Sequence, residues 1–475
     1  MTAVKETLEY ALRSHAVPTD ELRRRYPAVL DMVGRILGLT PRCDGYLEIW
    51  PPAFTTYNLL VPGLFDVPKC DLGLGIPPRL RSLVAHAASR GYGCPYCVAH
   101  SAMMGTVFKG SCIILKLNAK AKTPEGRALL TNGEATAVEF AEGLSRIPSP
   151  LTAELRGRLA SHFDEQTEER IVLAATVMGF LNRFMDTLGV VLEWEALTTA
   201  QEHLAPNGWT PSWSYEEQFD AELIQRDREE HEKLAGTKRD GGFKLASTIA
   251  GCIAYDRNAL RDVPGSAGGI HARFRAETGF VPYYMERLQG AARRALTYAV
   301  LGLNKPGEQI PVWLKHAMCF VAASHAENGI LAAHAAFLAM RGGATAQQLA
   351  DALDADRVER AFPEREAAAL LLAHAAKGNP SRVEQALIDR LMRLFTPASI
   401  IELLTALSVH NALQRYSAVF PPAQYEPAIA AFVGGIGSTL HLDPSPRSAE
   451  QRRFDEAVAS NRPHRKSAVD RLFKS

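Results

Sequence analysis

Cys94-Pro95-Tyr96-Cys97-Val98-Ala99-His100 sets two thiols and an imidazole within one short stretch of chain. Residues three apart on a helix are neighbours, so Cys94 and Cys97 can close a disulfide across a single turn, and His100 follows on the same side. A thiolate cleaves a peroxide by attacking one oxygen while the departing alkoxide takes a proton. A second thiol then converts the sulfenic acid into a disulfide. The spacing therefore offers a nucleophile, a resolving thiol and, in His100, an acid/base group. Cys97, Cys94 and His100 are the candidate catalytic residues. Chemistry of this kind needs no organic cofactor and no metal, and neither is expected. Its partners are a small-molecule peroxide and a thiol reductant.

The elements around the motif decide whether those thiols are reactive. Leu80, Leu83, Val84, Ala87 and Ala88 fall at helical spacing after Pro77-Pro78, which predicts a helix that stops at Gly91-Tyr92-Gly93. Cys94 then stands at an N-cap position, Pro95 fits the first turn, and an apolar run continues to Lys109-Gly110. A sulfur at a helix N-terminus meets unpaired N–H groups and the positive end of the dipole, and both favour thiolate. Competing readings stay open at this point. A structural zinc site needs a fourth ligand, and there is no second Cys-x-x-Cys pair. Cys-Pro-Tyr-Cys is also the glutaredoxin tetrapeptide, but there it follows a strand. A buried, inert cysteine pair is the plainest alternative, and His100 fits a core role as readily as a catalytic one.

The chain has 475 residues, 47% of them hydrophobic, and so exceeds a single compact helical domain. Fifty-three basic against 52 acidic residues give a net charge of +1, which recommends neither nucleic acid nor an acidic membrane as a partner. Met1 to Tyr10 lacks the pattern of a secretory signal, and no long apolar run suggests a bilayer span. Seven scattered cysteines do not look like a secreted disulfide framework, so a reducing cytoplasm is the expected compartment. Alanine- and leucine-rich segments at helical spacing, without alternating β-branched runs, predict an all-α fold.

An internal repeat is the most informative feature outside the motif. Ile76-Pro77 and Ile310-Pro311 open segments that align without a gap through His100 and His334. In that register Arg81 meets Lys315, Cys94 becomes Asn328, Cys97 becomes Leu331, and the histidine is kept. Further on, Glu168 to Val190, with Asn182-Arg183, resembles Thr396 to Val419, with Asn411 and Arg415. The reading is two tandem helical domains: residues 1–205 with the motif and 265–440 without it. They are joined by a connector over 206–264 with a helix of its own and followed by a basic, solvated or partly ordered tail over 441–475. Asn182 and Asn411, in apolar helices, are expected to be fold determinants. Arg183 and Asp186 are expected to pair on a helix surface, and His316, His325 and His334 to be ordinary core or surface histidines. Cys112 is close enough in sequence to trap Cys97, though an isolated buried thiol is the simpler expectation.

The run Leu80 to Met104, a helix entering Gly-x-Cys-x-x-Cys with a histidine just beyond, resembles the core motif of the alkylhydroperoxidase D-like superfamily, which includes the carboxymuconolactone decarboxylases. Glu134 to Leu188 is similar to the helical pair that closes that fold. The resemblance covers Pro41 to Val191 well and Ile310 to Phe420 weakly. It implies that Cys97 attacks the peroxide, that Cys94 resolves it, and that a glutamate and the histidine relay protons. Two positions depart from the pattern. His100 stands three residues after Cys97, where four is common, and Ser82 fills the glutamate's slot, with His86 one turn further on as a substitute. The decarboxylase branch works on a lactone without a cysteine pair. A tandem layout with one degenerate copy is that of the sestrins, which implies a redox-sensing or binding scaffold as the alternative to an enzyme. The resemblance also implies oligomers formed through helices.

Overall fold

The computed structural model describes residues 7–67, 69, 73–107, 129–211, 225, 227–229 and 242–462. The fold is all-α, with no strand among the described residues. The first half runs α1 (Pro27–Leu37), α2 (Cys43–Leu47), α3 (Pro51–Phe65), α4 (Pro78–Tyr92), α5 (Pro95–Val107), α6 (Asn132–Leu144), α7 (Ala153–His162), α8 (Glu165–Leu188) and α9 (Trp194–His203). After α10 (Gly242–Ala259) come α11 (Ala267–Thr278), α12 (Tyr283–Arg287), α13 (Gly290–Leu303), α14 (Val312–His325), α15 (Gly329–Arg341), α16 (Glu364–Ala376), α17 (Gln385–Leu394), α18 (Pro397–Val419) and α19 (Pro427–Ile436). The order and lengths from α11 to α19 repeat those from α1 to α9, apart from two short helices, Ala346–Ala352 and Ala355–Ala361, that precede α16.

Local chemistry explains the helix ends that matter. Pro78 opens α4, and Gly93 closes it in the left-handed region at φ 87°. A glycine holds that conformation without the Cβ clash that disfavours it for other residues. At the equivalent place in the second half Glu327 takes φ 54°, so the turn is kept even where a side chain makes it costlier. Thr131 and Glu134 form a capping box on α6, and Asp164 caps α8 by accepting the Thr167 N–H at 2.8 Å.

The two long helices α8 and α18 cross at the centre of the molecule and share its most extensive helix pairing. At the crossing a Cβ on Gly179 would lie 2.9 Å from Ala412 Cα and from Asn411 O, so only glycine lets the backbones come this close. Polar groups there are satisfied across the junction. Asn411 Nδ2 donates to Gly179 O at 2.7 Å, and Arg415 donates to Ala175 O and to Asn182 Oδ1, each at 2.9 Å. The helices match with Arg183 opposite Arg415 in the repeat, which places Asn411 against Gly179 rather than Asn182. The apolar runs on either side are too uniform to fix that three-residue difference in register. Of the described helices, α8 alone is long and apolar enough to cross a membrane, and 89% of its apolar stretch is buried inside the protein.

Three expectations need correction. Arg183 and Asp186 are not a surface pair. Arg183 is buried and donates to Gly378 O and Ser381 Oγ, while Asp186 accepts the Ser381 N–H, because both side chains turn towards the segment after α16. The segment over 206–264 does more than connect, since α10 lies along α1 and walls a cavity. Residues 441–462 are not a solvated tail. The helix Phe454–Asn461 packs on α7, Phe454 is buried, and Glu168 joins Arg156 to Arg462. Residues 463–475, Cys70 and Cys112 lie outside the described residues, as does the expected end of α5 at Lys109-Gly110.

Candidate active site

Helix α4 brings the chain to Gly93, the turn there reverses it, and Pro95 opens α5, so the cysteine pair straddles the start of a helix. Cys94 precedes that turn, and its sulfur accepts the Cys97 N–H at 3.4 Å. The thiol thus fills the N-cap role, with sulfur as a weak acceptor. Both thiols are free and buried, Cys94 with no exposed surface and Cys97 with 4%. Burial pushes the Cys94 thiol well above its ordinary value, and Cys97 and Asp186 nearby push the same way.

His100 is held on three sides. Its Nδ1 lies 2.9 Å from Tyr96 O, a carbonyl that only accepts, so Nδ1 carries a hydrogen. The ring stacks on Tyr96 with centroids 4.0 Å apart. Nε2 stands 2.7 Å from Glu193 Oε2. The ring nitrogen is not aimed squarely at that oxygen, so the two groups are in close contact without a straight hydrogen bond.

Glu193 comes from far along the chain. It occupies the N-cap position of α9 but does not cap it; Asp227 instead accepts the Trp194 N–H at 2.9 Å. Freed from that task, the Glu193 carboxylate turns to the motif. Oε1 accepts the Tyr96 hydroxyl at 2.9 Å and the Arg42 N–H. Burial by itself would raise this carboxyl, but His100 and Arg42 outweigh it and hold the group down to about 2, so it is ionised near neutral pH. The Arg42 guanidinium is fixed in turn by Val191 O at 3.2 Å and by both Asp227 oxygens at 3.1 and 2.8 Å. Arg42, Glu193, His100 and Tyr96 make one connected network ending beside Cys97.

Two spaces meet at the cysteine pair. Cys97 and His100 line a cavity of about 1330 Å³, mouth included, with walls of Val29, Met32, Ile36, Val61, Phe65, Met178 and Ile253. Cys43, Tyr57, Arg81 and Ser101 face it as well. Cys94 lies on the other side, at a more polar cleft of about 960 Å³ lined also by Asp186, Thr187, Thr210 and Pro211. Pro380, Ser381 and Val383 bring the second half of the chain into that cleft.

No family model matches the chain, and no curated protein matches it. Two solved structures of the debrominase Bmp8, one a variant in complex with 2,3,4-tribromopyrrole and the other apo, are each 21% identical over 42% of this chain. They are covered over 97% and 98% of their own length, at a TM-score of 0.35. A likeness at that level carries no argument about fold or activity.

The structure places all three expected site residues together. Ser82, which fills the glutamate's slot on α4, is buried, and His86, the substitute expected from the same helix, pairs through Nδ1 with Ser101 Oγ at 3.0 Å. The group on His100 is Glu193, with Tyr96 and Arg42 behind it, and none of these roles was read from the sequence. A signal for Glu193 does exist in the repeat. His100 and Glu193 are 93 residues apart, His334 and Glu426 are 92 apart, and the second pair also meets, at 2.9 Å.

Proposed function

We propose that the chain is a thiol peroxidase of the alkylhydroperoxidase D-like kind, built from a duplicated helical unit in which only the first copy keeps the cysteine pair. The observation that carries this reading is the joint exposure of Cys97 and His100 to one cavity, with Glu193 at 2.7 Å behind the imidazole. Cys97 is the attacking thiol, because it faces the space a substrate can enter. Its sulfur attacks the outer peroxide oxygen, the O–O bond breaks, and the alkoxide leaves with a proton supplied through His100, which Glu193 holds in place. Cys94, one turn away, then attacks the sulfenic sulfur, expelling water and closing the disulfide. The raised Cys94 thiol fits this order: it stays protonated while Cys97 reacts and gives up its proton only on resolution. An external thiol reductant restores the pair.

Stopped-flow titration of the reduced protein with hydrogen peroxide and with cumene hydroperoxide, counting free thiols, tests the reading. Two thiols should disappear per peroxide, far faster than for free cysteine. Cys97→Ser should abolish the fast loss, and Cys94→Ser should limit it to a single thiol. Loss at the rate of free cysteine, or a fast phase that survives Cys97→Ser, would overturn the proposal and leave a fold kept for binding.

A further inference from the structure

The cavity that reaches Cys97 does not include Cys94, and the cleft that reaches Cys94 does not include Cys97. We propose that the centre has two entrances, with peroxide meeting Cys97 in the apolar cavity and the thiol reductant attacking Cys94 from the polar cleft between the two halves. This rests on reading Cys94 and Cys97 as a dithiol–disulfide pair.

The chemistry of exchange favours that division. A thiolate displaces a sulfur from a disulfide in line with the S–S bond, on the side away from the leaving sulfur. With Cys97 on the cavity side, the far side of Cys94 is the cleft. The reductant sulfur bonds to Cys94, the Cys94–Cys97 bond breaks, and the electron pair leaves on Cys97, where His100 can supply the proton. A second thiol then attacks the mixed disulfide from the same cleft, forming the oxidised reductant and freeing Cys94. Attack at Cys97 would instead have to come through the cavity, with Cys94 as leaving group and away from His100. The surroundings agree: the cleft offers Asp186, Thr187 and Ser381, whereas the cavity walls are largely aliphatic and methionine side chains. The second half of the chain, without a cysteine pair of its own, contributes Pro380, Ser381 and Val383 to the reductant's path.

The half-reactions can be separated. Thr210 is exposed at the cleft, Pro211 is half-buried beside it, and Ile253, 48% exposed, stands at the mouth of the cavity. Thr210→Trp and Pro211→Trp should slow reduction of the pre-oxidised protein by dithiothreitol at least about tenfold and leave cumene hydroperoxide oxidation within about twofold. Ile253→Trp should do the reverse. Wild-type reduction rates in both cleft variants would overturn the inference, as would an Ile253→Trp protein slowed equally in both half-reactions. If wild type fails to lose two thiols to peroxide, the underlying peroxidase reading is the part that has failed, and the two-entrance proposal falls with it.

Discussion

His100 and His334 hold equivalent places in the two halves, and each presents Nε2 to a glutamate at the N-cap of a helix, at 2.7 and 2.9 Å. What surrounds them differs. The first pair adjoins Cys97 and an open cavity; the second is packed by Phe280, Tyr283 and Tyr284, with Leu331 where Cys97 would be. At the cap Asn328 Oδ1 accepts the Leu331 N–H at 3.2 Å, doing with a strong acceptor what Cys94 does with a weak one. A histidine–glutamate pair therefore belongs to the fold, which uses it twice to tie a core helix to the start of a later one. The cysteine pair and the cavity beside it are what set the first half apart.

That contrast gives the largest expected effect. Glu193→Gln should slow the peroxide reaction roughly a hundredfold or more, in line with the loss of an acid/base system. Glu426→Gln should leave it within about twofold and cost only stability, about 1–3 kcal/mol for disturbing a buried charged hydrogen bond. Thiol-loss kinetics and denaturant titration on both variants decide the matter. Equal kinetic effects would mean that Glu193, like Glu426, only holds the fold.

The second half shows its structural role most plainly at Lys315, which is buried and pairs with Glu402 at 2.8 Å. Glu402→Gln leaves that ammonium without its counter-charge, so unfolding free energy should fall by about 3–5 kcal/mol, while thiol chemistry at room temperature is unchanged. A fall of under about 1 kcal/mol would show that the pair is readily rehydrated.

The crossing of α8 and α18 joins the halves. Gly179→Ala should cost about 1–3 kcal/mol, because the new methyl meets Ala412 and Asn411 backbone atoms that cannot swing aside. Little change in stability would mean that the long helices slide on one another easily, and the halves would then be less firmly joined than the buried Arg415 bonds suggest.

The fold class and the helices around the motif were legible because they depend on local signals. The stripe from Leu80 to Ala88 is buried as its spacing requires, and Pro78, Gly93 and Pro95 punctuate the chain where their backbone preferences dictate. The cysteine pair was legible for the same reason. Glu193 was not, since it reaches His100 only after the whole of α5 to α8 has folded between them, and a glutamate before Trp194 reads as an ordinary helix start. The role of α10 was hidden too, because what makes it a cavity wall is its packing on α1, not its composition. The tail misled through its charge: Arg452, Arg453 and Glu450 suggest solvent, while Phe454, which is buried, is a single apolar signal among them.

The smallest effect concerns pH and the junction at the cleft. Asp186 has no counterpart in the second half, where Ala418 holds its place in the repeat. Burial lifts its carboxyl from 3.8 to about 6, only partly offset by the Ser381 N–H and by Arg183. A folded-state value above the unfolded one means that the folded chain holds this proton more tightly. The contribution therefore favours folding below about pH 4 and is lost as pH rises through about 6. Asp186→Asn cannot titrate but keeps an oxygen for the Ser381 N–H. The variant should accordingly gain stability relative to wild type between about pH 4 and pH 7 and show a constant difference above that. Denaturant titrations across that range would reveal the rise. A flat difference would mean that the cleft admits enough water to solvate the carboxylate, leaving the junction wetter beside Cys94 than its burial implies.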